Sequence, residues 1–146
     1  MKNLFRKLLP AAALLLSVGT AEAGAQIIEG MTFSTQFAFT AGEAKFPAGT
    51  YKVKPMEGDP NVVEISSADG SSSAVVTVRT AETLAEPSKG EVTFLKSGSR
   101  YVLDAIYEEG STTGAESISA HTAKRNARRS RRGAPTTVRV PATKSS

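Results

Sequence analysis

The residues with the clearest chemical potential form a basic segment near the C-terminus. Its candidate anion-binding side chains are Lys124, Arg125, Arg128, Arg129, Arg131 and Arg132. Dense arginine binds phosphate or sulfate groups without sequence selectivity, and salt weakens that binding. Aromatic side chains that could stack on bases are not interleaved with the arginines, so specific nucleic-acid binding is not expected. The segment predicts affinity for a polyanion or, alternatively, a solubilising or protease-trimmed end without a binding role.

Catalytic chemistry would have to use the only histidine, His121. A Ser-His-Asp or Cys-His mechanism needs a base that a rigid shell holds within hydrogen-bond reach, and His121 lies beside the basic segment. The G-x-S-x-G and S-x-x-K motifs do not occur. The chain is therefore predicted not to be an enzyme, with a hydrolase as the alternative. The carboxylates that could serve a hydrolase are Glu57, Asp59, Asp104, Glu108 and Glu109.

Metal and cofactor sites have little support in the sequence. The chain contains no cysteine, which excludes a disulfide framework, a thiolate metal site and a lipid-carrying cysteine. Residues 57–61 supply only part of the ligand set that a calcium loop of about twelve residues needs. Neither the P-loop nor the dinucleotide-binding motif occurs. We therefore expect neither a cofactor nor a bound metal ion.

The first 25 residues have the layout of a secretory signal peptide. Three basic residues precede the apolar run 8–18, and A-x-A sequences after it allow cleavage behind Ala23 or Ala25. A helix that crosses a bilayer needs about 18 or more apolar residues, so this run is too short for a retained anchor. We expect an exported protein, periplasmic or secreted, without a transmembrane segment after cleavage.

Charge divides the exported chain into an acidic body and a basic end. Residues 24–123 hold seven basic and thirteen acidic residues, whereas eight basic residues and no acidic one follow from Lys124 onward. Residues 130–146 contain few large apolar side chains, so burial cannot offset their chain entropy. We expect a disordered basic tail that can reach anionic envelope polymers or lipid head groups. Residues 136–140 are β-prone enough to pair with an exposed edge strand.

Alternating apolar and polar residues, separated by Gly, Pro and Asp turns, predict an all-β domain over residues 26–112. The spacing fits a small antiparallel sandwich or barrel, and the alternation does not distinguish the two. Residues 113–129 are expected to form a short, weakly docked helical segment or an extended linker, because their apolar side chains are few. The predicted strands are 31–39, 50–56, 62–66, 74–79, 91–96 and 100–108.

An ordered series of motifs links this chain to a known group of proteins. It consists of F-A-F-T-A-G at 37–42, F-P-A-G-T-Y-K-V at 46–53, S-A-D-G at 67–70, V-T-F at 92–94 and G-S-R-Y-V-L at 98–103. The series resembles a family of small exported bacterial β-rich proteins of unknown function. The resemblance implies an exported β domain and supplies no catalytic or ligand residues. The basic segment lies outside it.

Two functional hypotheses remain at this level. The first is a noncatalytic domain with a structural or binding role in the cell envelope or outside the cell. The second is a polyanion-binding protein that acts through its arginine-rich C-terminal arm. The particular partner is not identified by the sequence.

Overall fold

The structure, a computed structural model, describes residues 29–130 and 133–145. The signal-peptide prediction, Arg131 and Arg132 lie outside these ranges. The described residues are mostly β, which confirms the all-β prediction, with more strands than the six expected. The elements are β1 Met31–Thr35, β2 Phe39–Ala41, β3 Ala44–Phe46, β4 Gly49–Met56, β5 Asp59–Ser67, β6 Ser73–Glu82, β7 Gly90–Ser97, β8 Arg100–Tyr107, β9 Thr113–Ser117, α1 Ile118–Ser130 and β10 Thr136–Lys144.

Eight strands close into an antiparallel barrel. Their order around the barrel is β8, β7, β10, β1, β4, β5, β6 and β9, and β9 pairs again with β8 to close the ring. Closure gives the backbone groups of these strands partners on both sides and removes long free edges. The alternation of residues left sandwich and barrel open, and the structure is a barrel.

Aromatic side chains fill the interior of the barrel. The Phe33 ring lies 6.1 Å from the Phe94 ring, and the Phe39 ring lies 5.0 Å from Phe94. Tyr51 packs edge-on against Phe39 at 5.1 Å. An eight-stranded barrel is just wide enough for side chains to fill its interior. These rings therefore form a packed core.

The hairpin of β2 and β3 covers one end of the barrel. β2 runs parallel to β8, with Thr40 opposite Val102, and Gly42 at its tip lies beside β6, where a Cβ would be 3.8 Å from the Val75 carbonyl oxygen. The predicted strand 31–39 is therefore divided, since β1 ends at Thr35. The Thr35 hydroxyl donates to the Phe37 carbonyl at 3.0 Å, which supports a bend that carries the chain from the barrel wall to its end.

A β-bulge on β8 changes which side chains face the helix. Leu103 and Ile106 both belong to the core, although strict alternation would place residues three apart on opposite faces. The pairing of β7 with β8 passes from Ala105 to Leu103 between consecutive β7 residues, leaving Asp104 as the extra residue. The bulge lets Asp104 face α1, which packs on the outer side of β6, β8 and β9.

The structure corrects the prediction of a disordered tail over 130–146. Most of that segment forms β10, which pairs with β7 on one side and β1 on the other. Val140 and Ala142 are buried while their neighbours point outward. In this segment Val138, Val140 and Ala142 alternate with polar or exposed residues, a pattern that the basic composition makes hard to recognise. Because β10 pairs with a strand on each side, cross-strand contacts compensate for the modest size of these side chains. For residues 113–129 the structure has the helical alternative and not the extended linker, since α1 follows β9 there.

Candidate functional site

The helix α1 begins directly after β9 and carries four of the six candidate anion-binding residues. Ser117 caps its N-terminus, because its Oγ accepts a hydrogen bond from the Ala120 amide at 3.3 Å. Ala120 is fully buried, and Ala127, two turns later on the same side, is half-buried. Small side chains on this face let the helix lie close to the strands. These four candidate residues are thus presented by a docked helix and not by a flexible arm.

Lys124 is held by two carboxylates beneath the helix. Its Nζ lies 2.6 Å from Oδ1 of Asp104 and 3.0 Å from Oε1 of Glu116. The carboxylate side chains are only 6% and 12% exposed. We refer to Asp104, Glu116 and Lys124 as the ion cluster. It joins β8, β9 and α1 through charge, which explains why a helix with few apolar side chains docks firmly.

Asp104 is further held from the neighbouring strand. The Thr93 hydroxyl of β7 donates to Asp104 Oδ2 at 3.1 Å. Oδ1 is buried, and within the described part of the chain its compensation is the Lys124 ammonium at 2.6 Å. A buried carboxylate without a counter-charge is costly. Lys124 therefore has a structural task here and is not free to bind an external anion.

Proton equilibria follow from this arrangement. Burial by itself lowers the pKa of Lys124, but the hydrogen bonds and negative charges of Asp104 and Glu116 outweigh it, so its pKa is raised. The pKa of Tyr107 is raised by burial and then by the charge of Asp104. Lys124 accordingly remains an ammonium and Tyr107 a neutral phenol at neutral pH.

His121 belongs to the edge of the same polar region. Its Nδ1 lies 3.2 Å from Glu116 Oε2, and the Arg79 guanidinium lies 3.0 Å from both ring nitrogens. Within the described residues, the polar contacts of the His121 ring are with Arg79 and Glu116 and involve no serine or other nucleophile. The geometry therefore assembles no Ser-His pair.

Arg125, Arg128 and Arg129 are exposed on α1, and we refer to them as the arginine cluster. Their spacing of three and four residues places them on neighbouring positions of one helix flank. None of the three forms an ion pair with an acidic side chain of residues 29–130 or 133–145. Arg128 and Arg129 lie in the last turn, where the helix dipole favours positive charge.

A groove runs beside the arginine cluster, between the end of α1 and the start of β10. It has a volume of about 350 Å³, and we call it the Leu95 groove after the side chain at its floor. The remaining lining residues are Lys124, Ala127, Arg128, Ala134, Pro135 and Thr137. Within residues 29–130 and 133–145, no group of histidines and carboxylates is arranged to hold a metal ion.

The sequence indicated the basic residues but not the ion cluster or the groove. Asp104 was the one residue whose position in the sequence pointed to the ion cluster, because a carboxylate within the apolar run of β8 requires a partner when it is buried. Its partners come from three other elements, so spacing along the chain does not reveal them. Over the described residues, no helix is long and apolar enough to span a membrane.

Comparisons with protein-family models, with curated proteins and with solved structures returned no match to this chain. The resemblance to a family of exported β-rich proteins stays a prediction. The functional argument therefore depends on the charges, contacts and cavities described above.

Proposed function

We propose that this protein is an exported, noncatalytic binding module of the cell envelope or the extracellular space, and that its binding surface is the arginine cluster on α1. The ligands that fit this surface are anionic envelope polymers or lipid head groups. Export is supported by the basic, apolar and A-x-A layout of the first 25 residues. A noncatalytic role is supported by the surroundings of His121, whose contacts are with a carboxylate and a guanidinium.

The observation that carries the proposal is the uneven pairing of the basic residues after residue 123. Lys124 forms ion pairs with Asp104 and Glu116. Arg139 forms an ion pair with Glu91, and Lys144 forms one with Glu29. The arginine cluster has no such acid among the described residues. The acidic body thus balances Lys124, Arg139 and Lys144 and leaves a concentrated positive charge on one helix flank.

A docked helix also changes the energetics of binding. A disordered arm must lose conformational freedom when it binds, and that loss reduces affinity. The arginine cluster is already ordered by the Ser117 cap, the buried Ala120 and the ion cluster. Its guanidinium groups can each form two parallel hydrogen bonds to a phosphate or sulfate. We expect binding that is sequence-independent and weakened by salt.

Binding to heparin at increasing salt concentrations tests the proposal. The variant Arg125→Gln, Arg128→Gln and Arg129→Gln is compared with a control of equal charge, Lys45→Gln, Lys52→Gln and Lys89→Gln, whose lysines are exposed and lie outside α1.

For the arginine variant we expect heparin affinity to fall by about tenfold or more, and the slope of log affinity against log salt to shrink by about two to three. The lysine control should retain most of its affinity. Equal losses in both variants would show that net charge and not the arginine cluster determines binding, and the proposal would be abandoned.

A further inference from the structure

We infer that the Leu95 groove binds the alkyl chain of an amphiphile whose phosphate head group lies on the arginine cluster. This inference rests on the proposed function, because the arginine cluster supplies the head-group site. It goes further by naming the class of ligand, a single-chain anionic amphiphile.

The floor of the groove is apolar for a reason that lies in β7. Phe94 points into the barrel core, so Leu95 points outward, and yet Leu95 is only 4% exposed. Helix α1 covers it from one side, and Ala134 and Pro135 line the other side. Ala127 and Ala134, where larger side chains would fill the gap, leave a cavity of about 350 Å³ between these elements. This volume is in the range of about 300–1,000 Å³ that small-molecule sites occupy.

The charges around the groove differ between its inner and outer parts. Lys124 lines the groove, but its charge is already balanced by Asp104 and Glu116. Arg128 also lines the groove and belongs to the arginine cluster, which has no acid partner among the described residues. An anionic group is therefore attracted to Arg128 and its neighbours, while the apolar walls accommodate hydrocarbon.

An amphiphile satisfies both parts of this surface, whereas a polymer of sulfated or phosphorylated sugars would use only the arginine cluster. Hydrocarbon leaves water favourably in proportion to the area buried, which corresponds to at most about fourfold in affinity for each fully buried methylene. A longer alkyl chain on the same head group should therefore bind more tightly, up to the length that the groove accommodates.

Dodecyl phosphate and butyl phosphate are the probes, each titrated by calorimetry below the concentration at which dodecyl phosphate forms micelles. Dodecyl phosphate is expected to bind the wild-type protein about tenfold or more tightly than butyl phosphate. The variant Ala127→Trp fills the groove and should remove this difference. The matched control Ala123→Trp, an exposed position on the same helix, should retain it.

Heparin binding by the same proteins separates this inference from the proposed function. Equal affinities of the two alkyl phosphates for the wild-type protein, or equal dodecyl phosphate binding by the two tryptophan variants, would overturn the groove inference while leaving the arginine cluster intact. A heparin affinity that is unchanged by the three arginine substitutions would overturn the proposed function.

Nuclear magnetic resonance of the wild-type protein gives a readout that does not require a variant to fold. Dodecyl phosphate should shift the methyl signals of Leu95 and the amide signal of Thr137, and butyl phosphate should shift neither at the same concentration. Unchanged Leu95 methyl signals with dodecyl phosphate would also overturn the inference.

Discussion

At the scale of single residues, one ammonium compensates two carboxylates beneath the helix. Asp104 and Glu116 are nearly removed from solvent, and Lys124 is their shared cation. Arg79 also approaches Glu116, with Nε at 3.9 Å from Oε2. The side chain of Lys124 is partly exposed, so solvent screens part of its interaction with the acids. Its removal should nevertheless be costly, because Asp104 has no other cation among the described contacts.

The substitution Lys124→Met should lower the free energy of unfolding by about 2–3 kcal/mol at neutral pH, since it leaves the buried Asp104 carboxylate without its counter-charge. Arg125→Met, on the exposed flank of the same helix, should change it by about 0.5 kcal/mol or less. Urea unfolding of both variants measures the difference. Similar values for the two would mean that the ion cluster contributes little to stability.

The same comparison has a defined pH dependence. The pKa of Lys124 is raised in the folded protein, so its contribution to stability is fully present below its unfolded pKa of 10.5 and is lost as pH rises through the higher folded value. The difference between wild type and Lys124→Met should therefore shrink above about pH 10.5. Tyr107, whose pKa is also raised, adds a loss of stability in the alkaline range to both proteins.

At the scale of elements, the parts that sequence predicts well are those with local causes. The turn at 69–70 and the two strands beside it follow from Gly, Asp and an alternation of β-branched residues. The division of 31–39 into β1 and β2 does not follow from local sequence. The bend between them depends on the packing of β2 across the end of the barrel, which is a contact between distant parts of the chain. Sequence analysis does not predict β10 for a related reason, since both strands that pair with it, β1 and β7, are distant in sequence.

The contact between β8 and β9 that closes the barrel depends on Gly114. Gly114 lies opposite Tyr107, and a Cβ at this position would overlap the Tyr107 ring and the Ile106 carbonyl oxygen. Both neighbours are buried and part of a strand, so neither can move without disturbing the core. The position therefore admits no side chain.

Gly114→Ala should lower the free energy of unfolding by about 2–3 kcal/mol, at the upper end of what overpacking costs. Hydrogen exchange should accelerate most at the amides of β8 and β9. Gly133→Ala is the control, because a Cβ there meets nothing within 4 Å. Thermal unfolding midpoints that agree between the two variants would contradict this account of barrel closure.

At the scale of the whole molecule, the opposite charges of body and C-terminal segment are combined within one fold. The ion cluster and the pairs Arg139 with Glu91 and Lys144 with Glu29 join the two. Sequence composition detected the opposite charges but could not tell which basic residues they balance. The candidate site was therefore predicted by residue type, whereas its location on a docked helix and its neighbouring groove required the three-dimensional structure.

The barrel should also depend on the segment that composition assigned to a disordered tail. β10 separates β1 from β7 in the ring and contributes Val140 and Ala142 to the core. A chain that ends after Pro135 would expose the backbone groups of both neighbouring strands and open the barrel. We expect this truncated chain to lose cooperative thermal unfolding and its near-ultraviolet circular dichroism.

A milder change tests the same dependence without altering chain length. Val140→Asp introduces a charge into the core and should mimic the truncation, whereas Thr136→Asp, at an exposed position of the same strand opposite Lys96, should leave the unfolding cooperative. If the truncated chain unfolded as cooperatively as the full one, β10 would be an accessory to a barrel that closes without it. The docked helix would then be held by the Ser117 cap, the buried Ala120 and the ion cluster without a contribution from β10.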